Sequence, residues 1–416
     1  MQLAAGFAPD RQALVGGPLR GWQHHAHEDA LARVGPVHHA ELPNGLDVVV
    51  TTVGLEATRA LLGDDRLAKD AAGLRAAMQD QLARKGRPTD LSRVIGPSML
   101  NTDPPHHRRL RALVSQAFTP RRVEALRPAV ERTARDMVAA LPNDADLIEG
   151  LAFPLPLAVI CDLLGVPAED RDQLHRWTTA MMTERPELVV PASDAMVGYL
   201  AGLIEYKRGR PDDALLSGLV RAQVDGERLN PEELLTTAIL LVVAGHETTT
   251  GLIGNAAVAL LSTPGAWEAL TEDTVGTAVE EAARWDPPVR VTPHYRAKAD
   301  IDLPGGVIPA GSVVMLNLGT AGRDPSVHGP TADRFDPTRM PVGGNAALGH
   351  ATFGHGVHYC LGHHLARIEA RAALTALRAR APRARLAVEA GSLERGDKVV
   401  TNTFATVDVV LEPADH

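Results

Sequence analysis

The sequence predicts a mainly α-helical protein with small β-sheets, of the α+β class, built as a single domain over residues 1–416. Three observations predict this. The 416 residues are 45% hydrophobic and 22% charged, which is ordinary globular usage. Apolar residues recur mostly at helical spacing between residues 109 and 261. No linker, charge block or internal repeat divides the chain.

Composition argues against several classes of protein. The formal charge of −9 and the 3% of aromatic residues disfavour nucleic-acid binding. The first twenty residues lack the apolar core of a signal peptide, and the longest apolar run, residues 238–245, is far shorter than the ~20 residues of a membrane helix. Two cysteines exclude a disulfide framework. We therefore expect a cytoplasmic protein that binds neither nucleic acid nor membrane, and we expect a monomer.

A small sheet should open the fold. Residues 37–42 and 46–51 are apolar runs that flank Pro43-Asn44-Gly45, and Asn-Gly between two such runs is a strong hairpin signal. Further strands are predicted at residues 300–303 and 312–316.

The clearest helix begins at Asn230, which can act as the N-cap. Pro231 suits the first turn, and Glu233 can close a capping box. The helix can run to about Ser262, which at ~1.5 Å per residue gives roughly 45 Å. Such a helix must pass through the core.

A glycine-rich stretch, Phe-Gly-His-Gly-Val-His-Tyr-Cys-Leu-Gly, surrounds Cys360. Apolar residues at helical spacing follow it, so Cys360 lies at a helix N-terminus, where the dipole and free N–H groups favour a thiolate. Gly354 and Gly356 allow a tight turn whose amides can point at the sulfur, and Gly362 lets the helix approach a flat cofactor. His358 can reach an anionic group at the cofactor's edge. Cys360 is therefore a candidate metal ligand.

Two alternatives remain open for the cysteines. A lone cysteine is often a small buried hydrophobe, and this interpretation is favoured for Cys161. A zinc site is the other alternative, but zinc sites usually recruit a second cysteine pair or a spaced histidine pair. The histidines that raise this alternative are His355, His358, His363 and His364.

The middle of the long helix reads Ala-Gly-His-Glu-Thr, starting at Ala244. The hydroxyl of Thr248 can bond to the carbonyl of Ala244, and the small residues Ala244 and Gly245 leave room for dioxygen beside the helix. Glu247 lies in an otherwise apolar stretch, where a carboxylate without a partner is costly. A mildly irregular buried helix is the alternative, but Glu247 favours a functional site.

Both stretches resemble signatures of the cytochrome P450 family. The cysteine stretch fills every fixed position of Phe-Gly-x-Gly-x-(His/Arg)-x-Cys-x-Gly, and the helix fits Ala-Gly-x-(Asp/Glu)-Thr. The resemblance covers nearly the whole chain and points to the bacterial soluble branch, especially members that tailor polyketides and other natural products. It implies the family's triangular, helix-rich fold.

By this resemblance, Cys360 is the axial ligand of the iron of haem b. Thr248 holds a water or the distal oxygen, and Glu247 relays protons from solvent. Five further residues of the two motifs lie against the haem: Ala244, Gly245, Phe353, Gly354 and Gly362.

The resemblance also assigns His107, Arg111 and His358 to the haem propionates. His107 and Arg111 share one helical face, where two cations need an anion. A basic, solvated helix start is the alternative. Another propionate arginine normally precedes the strand near residue 300. Arg296 is the candidate, although it lies one residue nearer the following aspartate than usual and Tyr295 holds the strict position.

Glu281 and Arg284 lie three apart on a helix that must end before Pro287. Most such pairs are solvated surface contacts. The resemblance instead makes them a buried structural pair beneath the haem, joined by Arg334.

An apolar, roomy substrate pocket is expected on the distal side. Residues 70–94 are expected to contribute a loop to its wall. Arg290 is either an orienting group or a surface residue, and both interpretations remain open. The candidate lining residues are Leu240, Val243, Val289, Arg290, Val291 and Thr403.

No flavin or iron–sulfur motif occurs in the chain, so electrons must come from another protein. NAD(P)H would supply them indirectly, through a ferredoxin reductase and a ferredoxin. A basic patch is expected to dock an acidic ferredoxin, with a solvated helix face as the alternative. Its arginines are Arg108, Arg109, Arg367, Arg371, Arg378, Arg380, Arg383 and Arg385.

The sequence thus predicts a haem-thiolate monooxygenase that inserts one atom of dioxygen into a C–H or C=C bond. Its expected substrate is an apolar, medium-to-large molecule such as a polyketide, macrolide or other secondary metabolite. A haem-binding protein without oxygenase activity is one alternative, which Glu247 and Thr248 disfavour. A family member that catalyses oxidative coupling or desaturation is another, and a zinc protein is the third.

Overall fold

The computed structural model describes residues 11–15, 19–91, 96–181, 185–339 and 349–412. Helices dominate it, as predicted. They are α1 Gln23–Val34, α2 Leu55–Leu62, α3 Ala71–Arg84, α4 His106–Ala117, α5 Pro120–Ala140, α6 Pro154–Leu164, α7 Arg171–Met181, α8 Pro186–Gly209, α9 Leu215–Arg221, α10 Pro231–Ser262, α11 Val275–Trp285, α12 Leu318–Gly322, α13 Pro325–His328 and α14 His363–Arg380.

The strands form small sheets, also as predicted. The largest has five strands in the order β1-β2-β8-β5-β3, and the predicted hairpin supplies its first two. The predicted strands near residues 300 and 312 appear as β6 and β8. The strands are β1 Val37–Glu41, β2 Asp47–Thr51, β3 Leu67–Ala68, β4 Asp144–Asp146, β5 Tyr295–Ala297, β6 Ile301–Leu303, β7 Gly306–Ile308, β8 Val313–Leu316, β9 Arg385–Leu386 and β10 Asp408–Val410.

The long helix α10 forms as predicted. The Asn230 side chain accepts a hydrogen bond from the Glu233 amide at 2.9 Å, and the Glu233 carboxylate accepts one from the Asn230 amide at 2.9 Å. This capping box satisfies two groups that a helix start leaves unpaired. From there α10 runs to Ser262 through the main hydrophobic core, in contact with α6, α11 and α14. Residues in its middle are therefore held from several sides.

One segment expected as a loop is a helix. α3 begins after Asp70, whose carboxylate accepts a hydrogen bond from an amide of the first turn. It buries Leu74, Met78 and Leu82, which are spaced four residues apart on one face. The end of the predicted loop, residues 92–94, lies outside the described residues.

Two helices are long and apolar enough to cross a membrane by length and hydropathy alone: Glu187–Gly209 and Pro231–Ser262. Such a match is weak evidence, because core helices of globular proteins also pass this test. The second helix is α10, and 78% of its apolar window is buried inside the protein. For α10, burial in the core explains the apolar composition.

A buried carboxylate, Asp286, joins distant parts of the chain. Its oxygens accept hydrogen bonds from Arg395 and Asn402 at 2.7 Å each, and His24 and His25 of α1 lie 3.1 and 3.4 Å away. The two histidines and Asp286 are close enough together to hold a metal ion. The carboxylate is already engaged by Arg395 and Asn402, however, so we interpret the cluster as a structural junction.

Candidate functional site

The cysteine stretch folds as a tight turn before α14. Gly354 and Gly356 both adopt left-handed backbone angles, with φ of +76° and +65°, which other residues rarely adopt. The Cys360 amide donates a hydrogen bond to the carbonyl of Phe353 at 2.8 Å, which closes the turn. The guanidinium of Arg367 stacks 4.2 Å from the centre of the half-buried Phe353 ring. The predicted turn is present, and its shape depends on glycine.

Cys360 is half-buried just before the start of α14. Burial raises its pKa, and hydrogen bonds from the backbone amides of Gly362 and His363 oppose that rise by stabilising the thiolate. We expected the amides of Gly354 and Gly356 to serve this role. Helix-start amides fulfil it instead, because the first N–H groups of a helix have no carbonyl partners of their own.

The other cysteine, Cys161, lies fully buried in the hydrophobic core on α6. Burial raises the pKa of its thiol to about 12. A thiol in such surroundings is inert, in agreement with the interpretation of Cys161 as a small core residue.

Three predicted basic residues meet near Cys360. The rings of His107 and His358 lie 4.4 Å apart between their centres, and Arg111 donates a hydrogen bond to the Val357 carbonyl at 3.3 Å. Burial lowers the pKa of His107 and takes that of His358 to about 3. Among the described residues, neither ring nitrogen of His107 has a hydrogen-bond partner. Of these three side chains, His107 is therefore the one whose buried nitrogens have no partner among the described residues.

Two further basic residues of this region, Lys69 and His294, were missed by the sequence analysis. Lys69 is 2% exposed, and its ammonium lies 4.0 Å from the centre of the Tyr295 ring. Its charge lowers the pKa of both His358 and His294, after burial as the larger cause. A single lysine between an apolar pair and an aspartate gave no recognisable pattern. Only the pairing of β3 with β5 brings Lys69 to this place.

Arg296 binds a carboxylate in this structure. It donates a hydrogen bond to Asp70 at 3.0 Å, and its strand position puts it on the opposite face of β5 from Tyr295. Its Nε is buried and has no hydrogen-bond partner among the described residues. The assignment of Arg296 to a haem propionate therefore stays a prediction.

On the other side of the site, α10 presents the predicted acid and alcohol. The Thr248 hydroxyl donates to the Ala244 carbonyl at 2.9 Å, as predicted. Glu247 is 1% exposed and accepts a hydrogen bond from the Lys398 ammonium at 2.6 Å. Ala244 is exposed although its neighbours on both sides along α10 are buried or half-buried, so it borders open space. Lys398, which the sequence analysis missed, connects the buried carboxylate to a partly exposed position.

Two glycines of α10 have packing roles. A Cβ on Gly245 would lie 3.3 Å from Ile160 of α6, so this residue allows two helices to approach closely. A Cβ on Gly251, one turn beyond Thr248, would lie 2.9 Å from both Pro288 and Thr403. The predicted pocket residue Thr403 therefore lies against α10 close to the acid–alcohol pair.

The predicted structural pair is buried, but its third member is a different arginine. Arg284 binds Glu281 through two hydrogen bonds of 2.7 Å. The arginine that also reaches Glu281 is Arg339, at 3.1 Å. Arg334 is exposed and offers only its backbone carbonyl, to Arg284 and Arg339. The expectation for Arg334 is thus corrected to Arg339.

Two predicted pocket residues have other surroundings. Arg290 is buried, with its guanidinium bonded to the Ala13 carbonyl at 2.6 Å and 3.7 Å from Glu28. It is neither a surface residue nor a free orienting group. Val291 is fully buried in an apolar cluster. For half-buried Val289 and for Leu240 and Val243, which belong to the main hydrophobic core, the pocket role stays a prediction.

A cavity of about 670 Å³ opens near the start of α10, between α3 and α8. The predicted segment 70–94 contributes to its wall, through Ala71, Ala72, Arg75, Gln79, Asp90 and Leu91, whereas none of the six individually predicted lining residues does. Charged residues on it are Arg75, Asp90, Asp194 and Glu232. Ile239, also on the wall, is next to Leu240, so the cavity leads toward the middle of α10.

Several arginines of the predicted basic patch have partners within the protein. They bind carboxylates or backbone carbonyls, and they are Arg109, Arg367, Arg378, Arg380 and Arg385. Arg108, Arg371 and Arg383 are exposed. The docking of a ferredoxin on this patch stays a prediction.

The donor set fits a flat, dianionic cofactor. Buried nitrogens of His107, Lys69 and His294 have no partners among the described residues, and such donors are costly unless an acceptor meets them. The Cys360 sulfur lies near them, with α10 residue Ala244 bordering open space. A thiolate ligand together with carboxylate-binding cations suits haem, whose iron takes a cysteine and whose edge carries two propionates.

Comparisons with known proteins agree with this geometry. The family model for Cytochrome P450 matches residues 162–378. The chain is 43% identical over 368 residues to the cytochrome P450 monooxygenase PikC of Streptomyces venezuelae, covering 86% of this chain and 84% of PikC. It is 40% identical over 399 residues to the vitamin D(3) 25-hydroxylase of Pseudonocardia autotrophica, covering 94% and 95%.

Solved structures agree as well. The tirandamycin C-bound P450 monooxygenase TamI superposes with a TM-score of 0.83 at 36% identity, covering 94% of this chain and 98% of TamI. The fold and the cysteine site thus define a haem-thiolate oxidoreductase. The chain belongs to the cytochrome P450 family and is a P450 monooxygenase, which confirms the predicted fold class and family.

Proposed function

We propose that this enzyme inserts one atom of dioxygen into a C–H or C=C bond of an apolar, medium-to-large secondary metabolite of the polyketide or macrolide type. The observation that carries the proposal is the buried Glu247 bonded to Lys398, next to Thr248 on the open side of α10. The names of relatives support the substrate class: one is a mycinamicin IV hydroxylase/epoxidase of Micromonospora griseorubida, 38% identical over 368 residues.

In this proposal, Cys360 holds the iron of haem b, and His107, Arg111 and His358 hold its propionates. Bound haem supplies dioxygen activation, for which electron donation from a thiolate favours O–O cleavage. The tight turn at Gly354, whose φ is +76°, positions the cysteine, and a Cβ on Gly362 would lie 4.0 Å from its sulfur, within ordinary contact distance.

Protons would reach the site along α10. Lys398 is partly exposed, while Glu247 is buried, so their 2.6 Å bond joins solvent to the interior. Rotation of the Glu247 carboxylate away from Lys398 would carry a proton toward a water held by the Thr248 hydroxyl. A protein that only bound haem would need no such buried acid, which argues against the non-oxygenating alternative.

Electrons would come from NAD(P)H through a ferredoxin reductase and a ferredoxin. We propose that the ferredoxin docks near Arg108, because this exposed cation lies next to His107 at the edge of the site. We also propose that the protein is a monomer of the cytoplasm and a single domain, and the core that surrounds α10 supports the single domain.

The first experiment is a spectrum of the reduced protein under carbon monoxide. A band near the wavelength for which the family is named is expected, together with about one haem per chain by iron analysis. A macrolide and polyketide panel should then produce a low-to-high-spin shift, and ferredoxin-driven turnover should give an oxygenated product. A protein that binds zinc instead of iron, or shifts spin state with a substrate yet never oxygenates it, would refute the proposal.

A further inference from the structure

Lys69, which no motif identified, has unusual surroundings. Its side chain is 2% exposed, and its ammonium has no hydrogen-bond acceptor among the described residues. The nearest acid, Asp103, uses both carboxylate oxygens to accept the backbone amide of Lys69, at 3.1 and 3.2 Å. A buried ammonium without an acceptor is strongly unfavourable, so the site calls for an anion.

The neighbours of Lys69 indicate where that anion lies. β3 pairs with β5, and the ammonium sits 4.0 Å from the centre of the Tyr295 ring on the adjacent strand. Its charge acts on His358, which contacts His107. All of these groups except the tyrosine are basic or can become so. The cluster therefore holds several donors and, apart from Asp103, no described carboxylate that could neutralise them.

We propose that Lys69 donates a hydrogen bond and a positive charge directly to a haem propionate, on the side of the cofactor that faces β5. The inference rests on the haem site proposed above and adds a residue that neither family motif contains. Tyr295 has no charge to offer, and Arg296 is engaged by Asp70 on the other face of the strand. Lys69 is a cation of this edge whose whole ammonium is buried without a hydrogen-bond partner among the described residues, whereas the guanidinium of Arg296 is already paired with a carboxylate and leaves only its Nε unpartnered.

The protonation of Lys69 agrees with this role. Burial lowers its pKa to about 7, while Asp103 raises it only in part. A carboxylate within bonding distance would favour the charged form and raise the pKa again. Cofactor binding and protonation of Lys69 would then support each other.

The test measures haem release rather than catalysis. Lys69→Met keeps the length of the side chain and removes its charge. Transfer of haem to excess apomyoglobin, followed by absorbance, should be at least about tenfold faster than from the wild type. Lys298→Met is the matched control, because Lys298 is exposed and directly follows β5, the strand that pairs with β3. Its rate of haem release should equal the wild-type rate. Lys69→Arg should recover most of the loss.

Haem dimethyl ester makes the test specific for the propionate. Its esters carry no charge, so proteins reconstituted with it should release it at similar rates whether residue 69 is lysine or methionine. The apoprotein of Lys69→Met should also be more stable to urea than the wild-type apoprotein, because an unpaired buried charge has been removed. A residue that acts only through packing would destabilise the apoprotein.

Three results would overturn the proposal. The first is equal release of haem by wild type and Lys69→Met, and the second is a ratio of Lys69→Met to wild-type release rates that is the same for haem and for its dimethyl ester. The third is a Lys69→Met apoprotein that is less stable than the wild-type apoprotein. Should Lys69→Met fail to fold, Lys69→Gln keeps a polar head and undergoes the same comparison. A normal carbon monoxide band with unchanged release rates would refute only the role of Lys69. A protein without haem would refute the proposed function as well.

Discussion

Threonines of α10 form hydrogen bonds that look alike but differ in surroundings. Thr248 bonds to the Ala244 carbonyl and is partly exposed, whereas Thr250 bonds to the His246 carbonyl at 3.0 Å and is buried. Both bonds follow the same i to i−4 pattern. Only Thr248 can offer its hydroxyl to a molecule beside the helix, so the two residues form a natural pair of variant and control.

Thr248→Ala should uncouple electron use from product formation. We expect the fraction of NAD(P)H that yields product to fall at least about fivefold, with hydrogen peroxide released and haem content unchanged, because a positioned proton donor is lost. Thr250→Ala should leave this fraction near the wild-type value. Simultaneous measurement of NAD(P)H, peroxide and product decides the matter, and full coupling in Thr248→Ala would remove this residue from proton delivery.

Arg339 and Arg334 differ in a way that stability measurements detect. Arg339 contacts Glu281 at 3.1 Å and donates to the Thr331 carbonyl at 2.8 Å, whereas the Arg334 side chain is exposed. Arg339→Ala should lower the free energy of unfolding by about 2 kcal/mol, because Glu281 loses a charged partner. Arg334→Ala should change it by less than about 0.5 kcal/mol. Urea unfolding of the haem-loaded proteins gives both values, and the reverse order would contradict the assignment.

Single residues were predictable only where a motif constrained them. Cys360, Glu247 and Thr248 occupy fixed positions of short patterns. Arg339 was missed because it lies near Arg334 in the same irregular segment, and only backbone geometry decides which side chain turns inward. Lys69 was missed because its importance comes from pairing between strands far apart in the chain.

At the scale of elements, α10 carries a buried group with a pH-dependent effect. His246 is fully buried, and neither of its ring nitrogens has a partner among the described residues. Burial lowers its pKa from 6.5 to about 4. Between these pH values His246 is protonated in the unfolded chain but stays neutral in the folded protein. The free energy of unfolding must therefore fall as the pH falls from 6.5 toward 4.

His246→Leu should remove this contribution. Between pH 7 and pH 5, the wild type should lose about 2 kcal/mol more unfolding free energy than His246→Leu. Replacement of the exposed His39 by glutamine should not alter the pH dependence of the wild type. Urea titrations at several pH values measure the slopes, and parallel slopes for wild type and His246→Leu would show that the histidine is not held neutral.

Elements with both a start signal and a long apolar pattern were predicted well. Asn230, Pro231 and Glu233 fixed the beginning of α10, and the Asn-Gly turn fixed the hairpin β1–β2. α3 was not predicted, although Leu74, Met78 and Leu82 have helical spacing and Asp70 caps its start, because the expected pocket placed a loop in this segment. The charged residues in the wall of the cavity near α10 could not be foreseen, since the wall combines residues of α3, α8 and α10.

At the scale of the whole molecule, the negative net charge repels an approaching acidic ferredoxin, whereas exposed local cations attract it. The chain carries −9 overall, and three arginines of the predicted basic patch, Arg109, Arg367 and Arg385, form ion pairs with carboxylates. An acidic ferredoxin would thus be repelled except where an exposed cation remains. Attraction of this kind acts over a Debye length of about 8 Å at physiological salt, so a single arginine can matter.

Arg108→Glu should slow reduction by an acidic ferredoxin about tenfold at low salt and much less at high salt. Arg385→Glu serves as the control, because Arg385 lies beyond the far end of α14 and pairs with Glu412. Stopped-flow reduction under carbon monoxide at several salt concentrations provides the rates. Salt-independent reduction of the wild type would exclude electrostatic steering.

The junction at Asp286 has a consequence for biosynthesis. His24 and Asp286 are 262 positions apart, and Asn402, which binds the same carboxylate, comes 116 positions later still. At about 5–20 residues per second, a ribosome needs many seconds to span these distances. The first helix therefore emerges long before the residues that anchor it exist. We expect the junction at Asp286 to form only after translation is nearly finished, and we expect nascent chains to depend on chaperones until then.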